Sequence, residues 1–424
     1  MLKRLFSKSE FTKNTFTLII GTVIAQSIPL ILHPFLRRIY TPEDFGAMAI
    51  YLSIFSMLTI VLSLRYEATI VLPKSNDEAA NILGLTFIIN IAISAVVFLV
   101  LLLFKNPIAN FINFPLKYSN YLYILPVGAS LFAMYQSINY WLIRQKAFRA
   151  STNNKIVRRV VEGATQATMG LLKIPGGLIA GDTAGNFANV LAGWRQTVKN
   201  NFNLKVVSRK EMTAVFKKYI EYPKFNVVPT LLSSAASMLP FLFINKIYST
   251  DTVGYLDLTR LVLSIPLIFI ATTISQVFFQ QSAEKKNLGE SIKKESLSVL
   301  FILLAIIALE IIVISTFGNE LFALVFGDKY GISGDYAKIL MFSFALNFIG
   351  STFSSIFITF GKIKLNSSWQ ILYFSAICSL LLFDDLALND FLKLYVAIEI
   401  VMHSIYLIMV FLIVKNYEQK IIQQ

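Results

Sequence analysis

The chain has 424 residues, 56% of them hydrophobic and only 15% charged, with a mean hydropathy of +0.65. Soluble domains carry roughly 25% charged residues, so this composition excludes a water-facing surface of ordinary polarity. The net charge of +14 is not evidence for nucleic-acid binding, because the positive residues sit in short segments between apolar runs.

Cysteine and histidine content narrow the chemistry further. A single cysteine, Cys378, excludes an intramolecular disulfide framework and a Cys-rich metal site. His33 and His403 are too far apart in sequence to suggest a zinc centre.

In chain order, the first apolar run begins near Thr15, after Met1-Leu2-Lys3-Arg4, and ends in His33-Pro34-Phe35-Leu36-Arg37-Arg38. It has no small-residue cleavage pattern and reads as a retained span rather than a signal peptide. Residues 82–104 contain no charge. At about 1.5 Å per residue, such a run crosses a hydrocarbon core of roughly 30 Å. Hydropathy places spans at 14–36, 45–67, 82–104, 119–143, 156–173, 177–198, 225–246, 254–279, 296–317, 336–359, 367–384 and 392–414. This predicts an all-α polytopic membrane protein of about twelve transmembrane helices.

An even number of spans puts both termini on one side. With that side cytoplasmic, the inside segments hold every Lys and Arg except Arg37, Arg38, Lys105, Lys117, Lys173, Lys246, Arg260, Lys329, Lys338 and Lys393. The positive-inside rule favours this orientation. The connection 199–224, with Lys199, Lys205, Arg209, Lys210, Lys217 and Lys218, reads as a basic linker on the anionic cytoplasmic surface or simply as a topogenic segment. It separates an N-terminal lobe, 1–198, from a C-terminal lobe, 225–424.

The two halves echo each other. Arg38-Ile39-Tyr40-Thr41-Pro42-Glu43-Asp44-Phe45-Gly46 matches Lys246-Ile247-Tyr248-Ser249-Thr250-Asp251-Thr252-Val253-Gly254 without a gap. A weaker echo relates Phe104-Lys105-Asn106 and Lys117-Tyr118 to Phe317-Gly318-Asn319 and Lys329-Tyr330. Six spans per repeat imply two six-helix lobes related by a pseudo-twofold axis along the membrane normal, around a central cavity.

Polar residues inside spans are the functional candidates. Thr22, Gln26, Pro29, His33 and Arg37 share one face of span one. The equivalent face of span seven carries Thr230, Ser234, Ser237, Phe241 and Asn245. These stripes either look into the cavity or serve helix packing. Ionisable residues cost roughly 2.5–3.5 kcal/mol each to insert. Span eight has Asp257 and Arg260, the end of span two Arg65 and Glu67, and span five Arg158, Arg159 and Glu162. Asp182 lies in span six, Glu310 in span nine, and Glu399 and His403 one turn apart in span twelve. Arg65, Arg158 and Arg159 lie near enough to the cytoplasmic face to snorkel. Asp182, with Gly177, Gly181 and Gly185 around it, suits tight helix contact as well as ion binding. Pro126, Pro229, Pro240 and Pro266 interrupt spans and would supply bends. No Gly-rich phosphate loop or His-Glu-x-x-His motif occurs, and no outer loop is large enough for an enzyme site.

Tyr40-Thr41-Pro42-Glu43-Asp44-Phe45-Gly46 resembles the start of Wzx-type polysaccharide flippases, as does Leu64-Arg65-Tyr66-Glu67-Ala68-Thr69-Ile70-Val71-Leu72-Pro73 followed by Asn76-Asp77-Glu78-Ala79-Ala80-Asn81. Gly177-Leu178-Ile179-Ala180-Gly181-Asp182 and Gly254-Tyr255 extend the likeness. The resemblance implies a MOP exporter (MATE-like) fold in the bacterial inner membrane. The implied substrate is an oligosaccharide on undecaprenyl diphosphate, such as an O-antigen unit of lipopolysaccharide, flipped to the outer leaflet by alternating access. Implied partners are membrane lipids, a polysaccharide polymerase and a chain-length regulator, without nucleic acid. It also implies cationic cavity residues for the diphosphate: Arg260 first, then Arg37 and Arg65, with Gln26, His33 and Asn245 on the polar stripes.

A diphosphate leaving water needs cationic hydrogen-bond donors, which arginine's fork provides. An inside-negative potential favours its outward movement by about 2.3 kcal/mol per charge per 100 mV. No cofactor is implied; coupling to inward H+ or Na+ would use a carboxylate, for which Glu67, Asp257 and Glu310 are the candidates. The competing readings are a MATE-like drug or cation exporter, a membrane-bound polysaccharide polymerase, and a non-transporting scramblase or assembly partner.

Overall fold

The computed structural model describes residues 10–422, with side chains from Ala25 to Ile421 except Ile265, Phe269, Thr273 and Gln276. The first four residues and the side chain of Thr22 lie outside the described residues. In the first half, α1 runs Glu10–Ile39, α2 Pro42–Ser63, α3 Asn76–Phe111, α4 Leu125–Arg144, α5 Phe148–Leu171 and α6 Gly177–Lys199. A short helix α7, Arg209–Lys218, follows in the basic connection. Then come α8 Glu221–Ile247, α9 Thr250–Leu288, α10 Lys293–Phe326, α11 Gly331–Phe353, the short α12 Ser355–Thr359, α13 Ile363–Cys378 and α14 Leu388–Ile422. Each expected span overlaps a helix, 336–359 being covered by α11 and α12 together, with ends shifted by up to nine residues.

Among the described residues, nine helical segments are long and apolar enough to cross a membrane. The chain is therefore a multi-span membrane protein. The long helices outside those nine are α1, α5 and α6, and α5 packs along both α1 and α6. The polar face of α5 meets those neighbours, which is why its charged residues and the Gly and Asn residues of α6 are compatible with membrane depth. The third helix of each half shows the opposite pattern. On α3, Ile88, Ile91, Leu99 and Leu103 are exposed, and on α10, Phe301, Leu309, Ile312 and Phe317. Such apolar surfaces belong against lipid.

The repeat motif has a physical role. Thr41 caps α2: its Oγ1 accepts the Asp44 N–H at 3.2 Å while the Asp44 carboxylate accepts the Thr41 N–H at 2.9 Å. Pro42 follows at the first helical position, where its missing N–H removes no helical bond. In the second copy, Ser249 Oγ accepts the Thr252 N–H at 3.2 Å at the start of α9. The hydroxyl of each repeat is thus a helix N-cap. Gly46 is required by close approach, since a Cβ there would lie 1.9 Å from the Thr250 carbonyl oxygen. Tyr118 and Tyr330, paired by the weaker echo, are both fully buried in 3-10 turns. The Tyr118 hydroxyl donates to Asp44 Oδ1 at 2.5 Å.

Two expectations are corrected. Span two does not reach residue 67, because Leu64 and Arg65 adopt left-handed backbone (φ 48° and 62°) and end α2; Tyr66–Val71 continue as a 3-10 turn. Arg65 and Glu67 therefore sit in a folded turn rather than on a helix. Pro126 does not interrupt a helix: residues 116–124 form a 3-10 segment and Pro126 starts α4, where proline is tolerated. Pro29 and Pro34 of α1, Pro229 and Pro240 of α8 and Pro266 of α9 do lie inside helices. A further kink falls at Phe104 of α3, ahead of Pro107, whose ring and missing N–H break the preceding turn.

Two compact units are present, Met1–Val253 and Gly254–Gln424. In the first, α8 packs on α2, and α2, α3 and α6 surround α4. Its helix α7 docks on α3. There Asn81 donates to the Val206 carbonyl and accepts from the Ser208 N–H, both at 3.0 Å, and the Tyr66 ring stacks on Phe216 at 5.7 Å. In the second unit, α11 packs between α10 and α14, over a core that includes Phe278, Leu303, Phe348, Phe357 and Tyr406.

Candidate functional site

The densest buried polar cluster of the first unit lies where α5 meets α6. Gly177, Gly181 and Gly185 recur every fourth residue along α6 and present bare backbone to α5 and α1. A Cβ on Gly181 would stand 2.4 Å from Gln166 Cγ, and one on Gly185 2.8 Å from the Arg158 carbonyl oxygen. The close contact these glycines permit brings Asp182, only 2% exposed, against the Arg158 guanidinium at 3.0 Å. The Asn186 amide donates to the other Asp182 oxygen at 3.0 Å. Glu162 takes a hydrogen bond from Arg159 at 2.8 Å and stands 4.0 Å from Arg158. The Phe132 ring of α4 lies 5.0 Å from the Arg158 guanidinium. The sequence left Asp182 between tight helix contact and ion binding; the structure shows the tight contact, with the carboxylate paired to Arg158.

From α1, Tyr40 donates to the Gln166 carbonyl at 2.8 Å, while the Gln166 amide donates to the Leu178 carbonyl at 3.1 Å. Arg37 is fully buried, its guanidinium carbon 3.5 Å from the centroid of the Phe45 ring. His33 packs against the same ring at 5.8 Å, within electrostatic reach of Arg37 and Arg159. The stripe read from the sequence thus grades from exposed Gln26 to buried Arg37. Arg158 and Arg159 are matched by Asp182 and Glu162, and Arg37 and Arg159 both act electrostatically on His33. Arginine forks inside an apolar unit are suited to an anion that must leave water.

Other expected residues have different surroundings. Asn245 donates to the carbonyls of Ile112 and Asn113 at 2.6 and 3.0 Å and accepts from Thr250 at 2.7 Å, tying the end of α8 to the end of α3. Ser234 touches Ser56 of α2 at 3.5 Å. Arg65 pairs with buried Glu67 at 3.2 Å. Beside that turn, Arg144 donates to the Pro73 carbonyl at 2.6 Å and to Asn76 at 3.1 Å. Glu310 is half-buried on α10. Outside the spans, the hydrogen bond to Glu78 holds the Lys218 ammonium above its usual range.

A second polar cluster occupies the second unit. Glu399 and His403 of α14, noted in sequence only as neighbours one turn apart, are joined by Tyr373 of α13, whose hydroxyl donates to Glu399 Oε1 at 2.5 Å. Arg260 of α9 lies within electrostatic reach of Tyr373 and Tyr395; Asp257 lies one turn before it. The tyrosines and Asn347 of this cluster gave no sequence signal. The i, i+4 spacing of Glu399 and His403 and the charged pair Asp257 and Arg260 were its traces in the sequence.

A profile of the polysaccharide biosynthesis protein family matches residues 35–333, more than half of the chain. The chain belongs to this family. Its fold is that of the MOP-superfamily transporters. An inward-facing multidrug-resistance MATE-family transporter of that superfamily aligns with a TM-score of 0.73 at 12% identity, covering 94% of this chain and 99% of that one. A MOP-superfamily transporter from Pyrococcus furiosus, described as having a binding pocket of reverse polarity, aligns at 0.61 with 13% identity over 95% of each chain. A MATE protein in a bent conformation aligns at 0.60 with 12% identity over 96% and 95%. At these identities the likeness is one of fold. No curated protein matches the sequence.

Proposed function

We propose that this protein is a flippase, not an enzyme, which carries an undecaprenyl-diphosphate-linked oligosaccharide from the cytoplasmic to the outer leaflet of the bacterial inner membrane by alternating access. The observation that carries the reading is the polysaccharide-biosynthesis family match across 35–333 on a MOP-superfamily fold. The arginines of α1 and α5 support it, because a diphosphate is stabilised by arginine forks where water is scarce. Asp182 and Glu162 are already paired with arginines, which argues against a cation exporter using those carboxylates. The distribution of positive charge supports cytoplasmic termini. A polymerase and a chain-length regulator would act on the product at the outer face.

The test is deletion of the protein in its own cell, followed by locating the lipid-linked oligosaccharide. Accumulation in the inner leaflet is expected. Full exposure outside without polymerisation would support the polymerase reading instead. Arg260→Ala is expected to stop flipping while the protein still inserts, and wild-type transport in that variant would remove Arg260 from the mechanism.

A further inference from the structure

We infer that Glu399 and His403 form a proton-binding switch that sets, through Asn347, whether a pocket in the second unit presents a hydrogen-bond acceptor or a donor. The pocket is about 470 Å³, and its polar lining includes Thr272, Ser275, Ser351 and Asn347. Among the described residues no charged side chain lines it, so its selectivity depends on donor and acceptor placement. Asn347 is exposed to the pocket on one side and meets His403 on the other, with Nδ2 3.1 Å from His403 Nε2.

The hydrogen-bond partners fix the histidine's tautomer. His403 Nδ1 lies 2.9 Å from the Glu399 backbone carbonyl, which can only accept, so Nδ1 carries a hydrogen in either charge state. In the neutral ring Nε2 is then an acceptor, and it takes the Asn347 N–H. The Asn347 carbonyl oxygen is left to face the pocket. A proton added at Nε2 turns that nitrogen into a donor. Asn347 must then rotate its amide by half a turn to offer Oδ1, and its NH2 replaces the oxygen on the pocket side.

Glu399 is what makes the added proton favourable. Its carboxylate is 3% exposed; Oε1 accepts from Tyr373 at 2.5 Å and Oε2 lies 3.4 Å from His403 Nδ1. A buried carboxylate with one neutral donor is costly, and an imidazolium beside it removes that cost. The surroundings of the pair supply little competing charge. From α13, Trp369 and Tyr373 present their rings to His403 at 5.7 Å each. From α11 come Asn347 and the bare Gly350, whose Cβ position lies 3.7 Å from the His403 ring. On α14 itself Tyr406 and Tyr395 flank the pair, and Arg260 of α9 acts on Tyr373 and Tyr395. The switch gives the proposed flippase a proton-coupling site, and in that respect it rests on that reading.

The experiment uses the full chain in nanodiscs with isotope-labelled histidine. The chain has only two histidines, so His403→Gln assigns the signals. The expected result is a neutral His403 with hydrogen on Nδ1, becoming doubly protonated as the pH is lowered. In Glu399→Gln the midpoint is expected to fall by at least about one pH unit. A His403 that keeps one protonation state throughout, or whose neutral form carries hydrogen on Nε2, overturns the inference. No substrate enters this measurement. A titrating His403 in a protein that does not flip lipid-linked oligosaccharide would therefore count against the flippase reading alone, while flipping beside a non-titrating His403 would count against the switch alone.

Discussion

Replacing Arg158 by methionine should expose how the first unit tolerates charge at membrane depth. The guanidinium stands 3.0 Å from an Asp182 carboxylate that is 2% exposed. At an effective dielectric of about 20, the gross attraction at that distance is about 5.5 kcal/mol. Asp182 keeps the Asn186 amide after the substitution, so only part of that figure is lost. Breaking one side of a buried pair costs about 3–5 kcal/mol, mainly because the remaining charge has no compensation. For a unit of roughly 250 residues this corresponds to a melting point lower by roughly 6–10 °C. Arg158→Met with Asp182→Leu removes both charges and should recover at least half of that loss. The assay is thermal unfolding of detergent-solubilised protein for the parent, both single variants and the double variant. Additive losses, or a single variant that melts with the parent, would refute the account of the pair as the charge-compensating centre of α5 and α6.

Three further outcomes follow from the same geometry. Gly185→Ala forces a Cβ to within 2.8 Å of both the Arg158 carbonyl oxygen and Glu162 Cβ, and should lower stability by about 1–3 kcal/mol in the same melting assay. Thr41→Ala and Ser249→Ala each remove an N-cap of the repeated turn and should cost about 1 kcal/mol apiece, with Asn or Asp restoring most of it. Lys218 has its pKa raised by Glu78. A base with a raised folded-state pKa stabilises below its unfolded value and loses that contribution as pH rises through the folded one. Docking of α7 should therefore be indifferent to pH from neutral up to the ordinary lysine range, and loosen only above it. Thiol labelling of a Cys378→Ser, Val215→Cys variant across pH measures this.

Much of the fold was legible in the sequence because lipid imposes a one-dimensional rule. A helix such as α3 must carry a long uncharged run, and hydropathy finds it. The repeat was legible for a related reason: Thr41 and Ser249 satisfy helix ends, a local requirement that leaves a local signature. Helices α5 and α6 were harder to read, because partner helices rather than lipid cover their polar faces. The end of α2 was misplaced because left-handed backbone at Leu64 and Arg65 carries no composition signal when the residues are not glycine.

By itself, then, the sequence determined the membrane class, the all-helical fold, the repeated turn and the list of ionisable residues at membrane depth. Only the tertiary structure decided their partners. Asp182 is joined to Arg158 through glycine-permitted contact between helices, Asn245 is used in a structural tie between α8 and α3, and Glu399 and His403 meet Tyr373 and Asn347 from two other helices. The physical reason is that insertion into lipid depends on each helix's own residues, whereas the state of a buried charge depends on atoms a few ångströms away, contributed by segments distant along the chain.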